Sequence, residues 1–294
     1  MKQMKKEPKY QNQHKLPQVY LKQFGFEKED DFWVSVLKVG TSKIQNIPIS
    51  EFSAEINVFD LPFENDEIKR HYENLFNKVE TRYRTILSNL KNQRKLIPKD
   101  KDYLNNFTAN IICRTEPFRT FILELLKDKD TREKFIKEIT MFSNDFNQTK
   151  NLLDIFKIDY QLNMSLGTVM NHLVNVFSSF EKIIIKEKNG TGWLTTNSPV
   201  YIDYKNNHSW IIPIEAEIYF PLSKDYCLFM FHTKSKNKEN PLRKLKIDEI
   251  NIIDFKLFDE ISAKIISKDF REYLIMNREY ENNTDLKKTT GNNV

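Results

Sequence analysis

The period of the apolar positions changes three times along the chain. Residues 31–39, DFWVSVLKV, alternate and are rich in β-formers, and SKIQNIPIS follows after Gly40. The two stretches predict a hairpin. EINVFD at 55–60 predicts a short third strand or a turn. From Asp66 to Leu90 the spacing becomes helical, with Ile68, Tyr72, Phe76, Val79, Tyr83 and Leu87 on one stripe. A second helical unit begins at Pro98 and Asp100, with Leu104, Phe107, Ile111, Phe118 and Phe121 on its stripe. Pro117 interrupts it, so a break is expected at residues 114–116. Further helices are predicted over 131–142 and 163–180.

Strand periodicity returns at 181 in KIIIKE, GWLTT, PVYIDY, SWIIPI, AEIYFPL and YCLFMFH. Asn189-Gly190 predicts a tight hairpin between the first two. Residues 246–262 again predict a helix. Segregated runs of strand and helix define an α+β class. The expected architecture is an antiparallel sheet built from N-terminal and C-terminal strands with a central helical block. Its organisation is expected to be a mobile tail over 1–11, a single domain over 12–281 with a helical insertion at about 66–180, and a disordered tail over 282–294.

The chain has 294 residues, long enough to bury a substantial core. Aromatic residues make up 13%, with 22 Phe, so the apolar payload is there to do so. The net charge of +5 permits contact with phosphates without demanding it, because 41 acidic residues are mixed among 46 basic ones. Cys113 and Cys227 lie in apolar surroundings and belong to no Cys-x-x-Cys pair, which predicts buried thiols and no zinc cluster. No apolar run follows the basic start and none has membrane-spanning length, so a soluble cytoplasmic protein without membrane contact is expected.

Phosphate-loop, His-Glu-x-x-His, Gly-x-Ser-x-Gly and EF-hand motifs are all absent. Four positions nevertheless stand out. His14 precedes an extended Leu-Pro segment, and Glu80 sits beside the apolar face of the first helix. Arg114 follows Asn-Ile-Ile-Cys just before the helix break, and Asn197 lies in the polar turn LTTNSPV. A His, a carboxylate, an Arg and a turn amide are the parts of a hydrolytic site. They are equally the parts of a structural network, with Arg114 paired to Glu80, Asn197 in an Asx-turn and His14 bonded to backbone.

NQHKLPQVYLKQF, residues 12–24, carries the pattern Gln-His-x-x-Pro-x-x-Tyr-Leu-x-x-Phe. It resembles the opening signature of the bacterial family called domain of unknown function 4238. EINVFD, YENLFNKVETRYRTIL, NIICRTEPFR, GWLTTNSPVYI and FPLSKDYCLFMF are similar to further segments of that family in the same order. The resemblance covers about residues 12–270 and implies family positions at Glu73, Glu80, Arg114, Thr115, Phe118 and Arg119. It implies Asp at the turn position where this chain has Asn197, which cannot bring a negative charge to a metal or act as a base. The family name implies no established activity.

Two readings stay open. In the favoured one the protein is a binding or interaction module and the polar residues form a buried network that fixes helices against sheet. Asn197 in place of Asp favours it. In the alternative it is a metal-dependent phosphodiester or nucleotide hydrolase, with defence against mobile DNA as a context. His14 would then be general base or metal ligand, Glu80 a ligand to Mg²⁺ or Mn²⁺, Arg114 the clamp on a phosphate oxygen and Asn197 the turn amide. Partners would be nucleic acid, a nucleotide or a protein. The same segment answers to both: Leu16, Val19, Tyr20, Leu21 and Phe24 are expected to dock on the core and hold His14 in place.

Overall fold

The computed structural model describes residues 10–92, 95–156, 158–188, 190–204, 212–235, 239–267 and 272–276. Both expected tails fall mostly or wholly outside the described residues, as do Asn189 of the expected tight turn and the first part of the expected strand SWIIPI. Residues 212–214 of that stretch are not strand.

The chain opens with β1 (Asn12–His14), the single turn α1 (Gln18–Leu21), β2 (Phe26–Lys28), β3 (Asp31–Lys38), β4 (Ile44–Pro48) and β5 (Ala54–Ile56). Helices follow: α2 (Asp66–Lys69), α3 (His71–Thr81), α4 (Tyr83–Asn92), α5 (Pro98–Arg114), α6 (Glu116–Lys127), α7 (Lys129–Ile139), α8 (Phe146–Ile155) and α9 (Ile158–Ser178). The last part is β6 (Glu181–Glu187), β7 (Thr195–Thr196), β8 (Tyr201–Asp203), β9 (Glu217–Pro221), β10 (Cys227–Phe231), β11 (Ile250–Ile253), α10 (Phe255–Ser267) and β12 (Tyr273–Met276). The fold is α+β, and strands from the two ends of the chain pair: β12 runs antiparallel to β3, with Ile275 opposite Val36.

Among the described residues three sheets result. β1 pairs with β5, and β3 carries β2, β4 and β12, with β7 beyond β12. The order β11-β6-β10-β9-β8 forms the third, in which only β11 with β6 is parallel. The alternation of side chains explains why its central strands are apolar throughout. Ile184, Ile218, Phe220, Leu228 and Met230 join the main core with the helices. Ile183, Ile185, Tyr219, Cys227 and Phe229 face the other way, into a second core with Phe258, Ile261 and Ile265 of α10.

Several expectations are corrected. Residues 66–90 form three helices, and Ile68 and Phe121 are exposed and do not belong to the buried stripe. The KIIIKE–GWLTT hairpin does not form: β6 pairs with β10 and β11, while β7 pairs with β12. Ile250–Ile253 is a strand on β6 and not part of a helix, because a short Ile-rich run fits either period and the open edge of β6 decides. Helix α8 and strand β12 were not anticipated. The break at 114–116 is where the spacing puts it: α5 ends at Arg114, Thr115 is extended, and Pro117 sits in the first turn of α6.

The opening signature docks as expected. Leu16, Tyr20, Leu21 and Phe24 are completely buried. The Tyr20 hydroxyl bonds Thr195 Oγ1 (2.5 Å) and the Pro221 carbonyl (2.9 Å), tying the signature to β7 and β9. Both cysteines are buried and unpaired by disulfide, and burial pushes both thiols up. Among the described residues, no helix is long and apolar enough to cross a membrane.

Candidate functional site

Three of the four singled-out residues meet. Arg114 closes α5, a helix buried on nearly all sides, and is itself 2% exposed. On α3, Phe76 and Glu80 are four residues apart and share a face. The Arg114 guanidinium therefore lies over the Phe76 ring (4.6 Å) while Nη1 donates to Glu80 Oε1 (2.5 Å). Nε donates to the His14 carbonyl (3.0 Å), as does Nη2, and Nη1 reaches Asn110 Oδ1 (3.5 Å).

His14 thus enters the cluster through its main chain, held in place by the β1–β5 ladder. Its ring turns to Gln18, whose amide Nε2 lies 2.8 Å from His14 Nε2. With that amide donating, the ring carries its proton on Nδ1. Burial pulls the imidazole pKa down, the Phe52 main chain opposes this, Arg114 lowers it further and Glu80 raises it. Glu73, one helical turn before Phe76, has its carboxyl pushed up, first by burial, with Arg114 acting against this and Glu80 in the same direction. Its Oε2 is buried without a hydrogen-bond partner among the described residues.

This donor set does not fit a divalent cation. Arg114 occupies Glu80 from a distance at which its own charge would repel a metal ion, and Gln18 occupies the outward nitrogen of His14. Among the described residues, no three His, Cys, Asp or Glu side chains gather into a metal-holding group.

Asn197 stands elsewhere. Its Oδ1 accepts the backbone N–H groups of Glu272 and Tyr273 (3.0 Å each), and its own N–H bonds the Tyr273 carbonyl. The residue joins the turn after β7 to β12 across the sequence, where a local Asx-turn was the expected structural use.

A second polar group adjoins the first through Phe59; the resemblance named Arg119 and the EINVFD segment within it, but sequence reasoning missed that they meet. That ring is flanked by Arg114 (5.5 Å) and Arg119 (5.1 Å). The loop Asn57-Val58-Phe59-Asp60 is held by side chains from every direction. Gln13 takes the Phe59 N–H (2.7 Å) and donates to Asp60 Oδ1 (2.8 Å), which also pairs with Arg70. Asn163 of α9 donates to the carbonyls of Val58 (3.1 Å) and Asp60 (2.9 Å). Arg119 of α6 bonds Asn163 Oδ1 through Nη1 and Nη2 (3.2 Å each) and the Val58 carbonyl (3.2 Å). Beyond this loop opens a cavity of about 660 Å³, lined by Arg119, Asn163, Lys69, Tyr160, Phe63 and the loop itself. A signal for it existed: Arg119, Ile122 and Leu126 share the buried face of α6, and a lone Arg on an apolar stripe calls for a reason.

No curated protein and no solved structure matches the chain. A family model does, over residues 12–269, and it spans the opening signature, the Arg114 cluster, the polar loop and the turn at Asn197. The chain belongs to the family described as protein of unknown function (DUF4238).

Proposed function

We propose that this protein is a binding or interaction module, folded as one domain over residues 12–281, in which His14, Glu80 and Arg114 brace the fold and carry out no chemistry. What supports this is the state of Arg114. A phosphate clamp needs donors that face a wet cleft. Those of Arg114 face the His14 carbonyl, Glu80 and Asn110, with Phe59 and Phe76 against its plane. The cluster ties β1, α3 and α5 together, which is the work of a network that fixes one arrangement.

Hydrolysis of a phosphodiester or nucleotide is the competing reading. It has one observation on its side, the carboxyl of Glu73, which burial pushes up, since a raised carboxyl is what a general acid needs. The experiment is a turnover panel of DNA, RNA and nucleotides with and without Mg²⁺ or Mn²⁺, run on wild type, His14→Ala and Glu73→Gln. The expected result is no turnover in any sample. Turnover in wild type that is lost in folded Glu73→Gln would overturn the module reading.

A further inference from the structure

We infer that the 660 Å³ cavity beside the Asn57–Asp60 loop is a binding site for a small organic carboxylate, with Arg119 as its anchor. The inference rests on the module reading and names the class of ligand. Arg119 is 8% exposed, yet no carboxylate of the described residues pairs with it. Its partners are neutral: Asn163 Oδ1, the Val58 carbonyl and the face of Phe59. Its Nε has no acceptor among the described residues. The carboxylates that act on it, Glu116 and Glu55, do so without contact, and both are held by Lys15 (2.7 and 2.5 Å). A buried guanidinium with no carboxylate in contact is costly to hold, and here it borders a cavity of the size that small-molecule sites have.

Of the other charges around the cavity, Asp60 and Glu55 have ion-pair partners, and Glu64 stands exposed on the wall. Asp60 is paired with Arg70 and lies 3.5 Å from Lys69. Glu55 is paired with Lys15 (2.5 Å). Arg119 is therefore the cation of the cavity lining that no carboxylate of the described residues contacts, and the acidic residues on its walls favour a singly charged guest over a dianion. The apolar wall is Leu61, Pro62, Phe63 and Tyr160. Phe63 and Tyr160 are 38% and 42% exposed, and Phe63 meets Phe156 edge-on (6.0 Å), so ring surface of both stays open beside the cavity. A carboxylate fits the planar fork of an arginine, and an aromatic or short aliphatic body fits the wall. The smaller cavity of about 240 Å³ beside α10 offers no such anchor, because its buried acid Glu217 is matched by Arg243 (2.7 Å) and Asn240 (2.7 Å).

The test is calorimetric titration of the full chain with phenylacetate and hexanoate. Their amides are the neutral controls, and phenyl phosphate is the dianionic one. At least one carboxylate binds with a dissociation constant of about 1 mM or tighter, and its amide binds at least tenfold more weakly. Arg119→Met loses that binding. Because Arg119 is buried and the variant can misfold, two exposed changes accompany it: Glu64→Gln tightens binding by about two- to threefold, and Tyr160→Ala weakens it. Equal binding of acid and amide, no binding of either carboxylate, or unchanged affinity in folded Arg119→Met would overturn the assignment, as would binding of phenyl phosphate alone. None of these outcomes bears on the module reading, which only turnover in the nucleic-acid panel overturns.

Discussion

Removing Glu80 from beside Arg114 is the most direct way to weigh the brace. In Glu80→Ala the guanidinium keeps its bonds to the His14 carbonyl and its place over Phe76, but loses its counter-charge. Breaking a fully buried ion pair from one side costs about 3–5 kcal/mol. Here the Arg114 side chain is 3% exposed and that of Glu80 18%, so water reaches the carboxylate side and recovers part of the loss. The expected destabilisation is about 2–3 kcal/mol. With a urea m-value of about 3 kcal/mol/M the midpoint falls by a little under about 1 M. Arg114→Met removes the same pair from the other side and leaves the His14 carbonyl without its donors, at about 2–4 kcal/mol. If the two residues act through one another, the double variant loses well short of the sum, with a coupling of at least about 1 kcal/mol. Urea unfolding of the four proteins, followed by circular dichroism, gives the cycle. Strictly additive losses, or a Glu80→Ala change under about 0.5 kcal/mol, would refute the reasoning.

Other expectations follow from the same contacts. His14→Ala costs less than Glu80→Ala, about 1 kcal/mol, because Arg114 bonds the main-chain carbonyl that alanine retains; urea midpoints compare them. Gly25→Ala destabilises by about 1–3 kcal/mol in thermal or urea unfolding, since a Cβ there would sit 2.5 Å from the Trp33 carbonyl oxygen. Asn197→Asp keeps both Oδ1 contacts to the backbone of 272–273 and stays within about 0.5 kcal/mol of wild type, while Asn197→Ala loses about 1–2 kcal/mol. Lys182 is buried and donates to the carbonyls of Phe177 and Phe180 (2.9 Å each), and its pKa is pulled down to about 8, first by burial and then by Lys101. A depressed folded pKa means its contribution is present above the ordinary lysine value and lost as pH falls through 8. The stability difference between wild type and Lys182→Met therefore shifts by about 2 kcal/mol in favour of wild type between pH 7 and pH 10. In that difference the opposing titration of the buried tyrosines cancels, and a flat profile would show that Lys182 titrates normally.

The sequence by itself determined whatever depends on local period and local chemistry. The β3–β4 hairpin followed from alternation around Gly40, and the break after Arg114 from Pro117. The docking of residues 16–24 followed from apolar side chains beside a proline, and the α+β class from segregated runs. Tertiary structure decided what depends on partners far along the chain. Ile250–Ile253 is a strand because β6 offers an edge, and Thr195–Thr196 pairs with β12 instead of the nearby β6. It also decided the sites. His14, Glu80 and Arg114 were nameable in sequence, yet only their packing shows that His14 acts through its carbonyl and that Asn197 lies apart from them, in the turn after β7 bonded to β12. The cavity was less legible still. Asn57–Asp60, Arg119 and Asn163 are separated by long stretches, and the one local sign among them is Arg119 on an apolar stripe. They become a site only because α6 and α9 close over one loop and leave a buried guanidinium with no carboxylate in contact among the described residues, a condition no local pattern encodes.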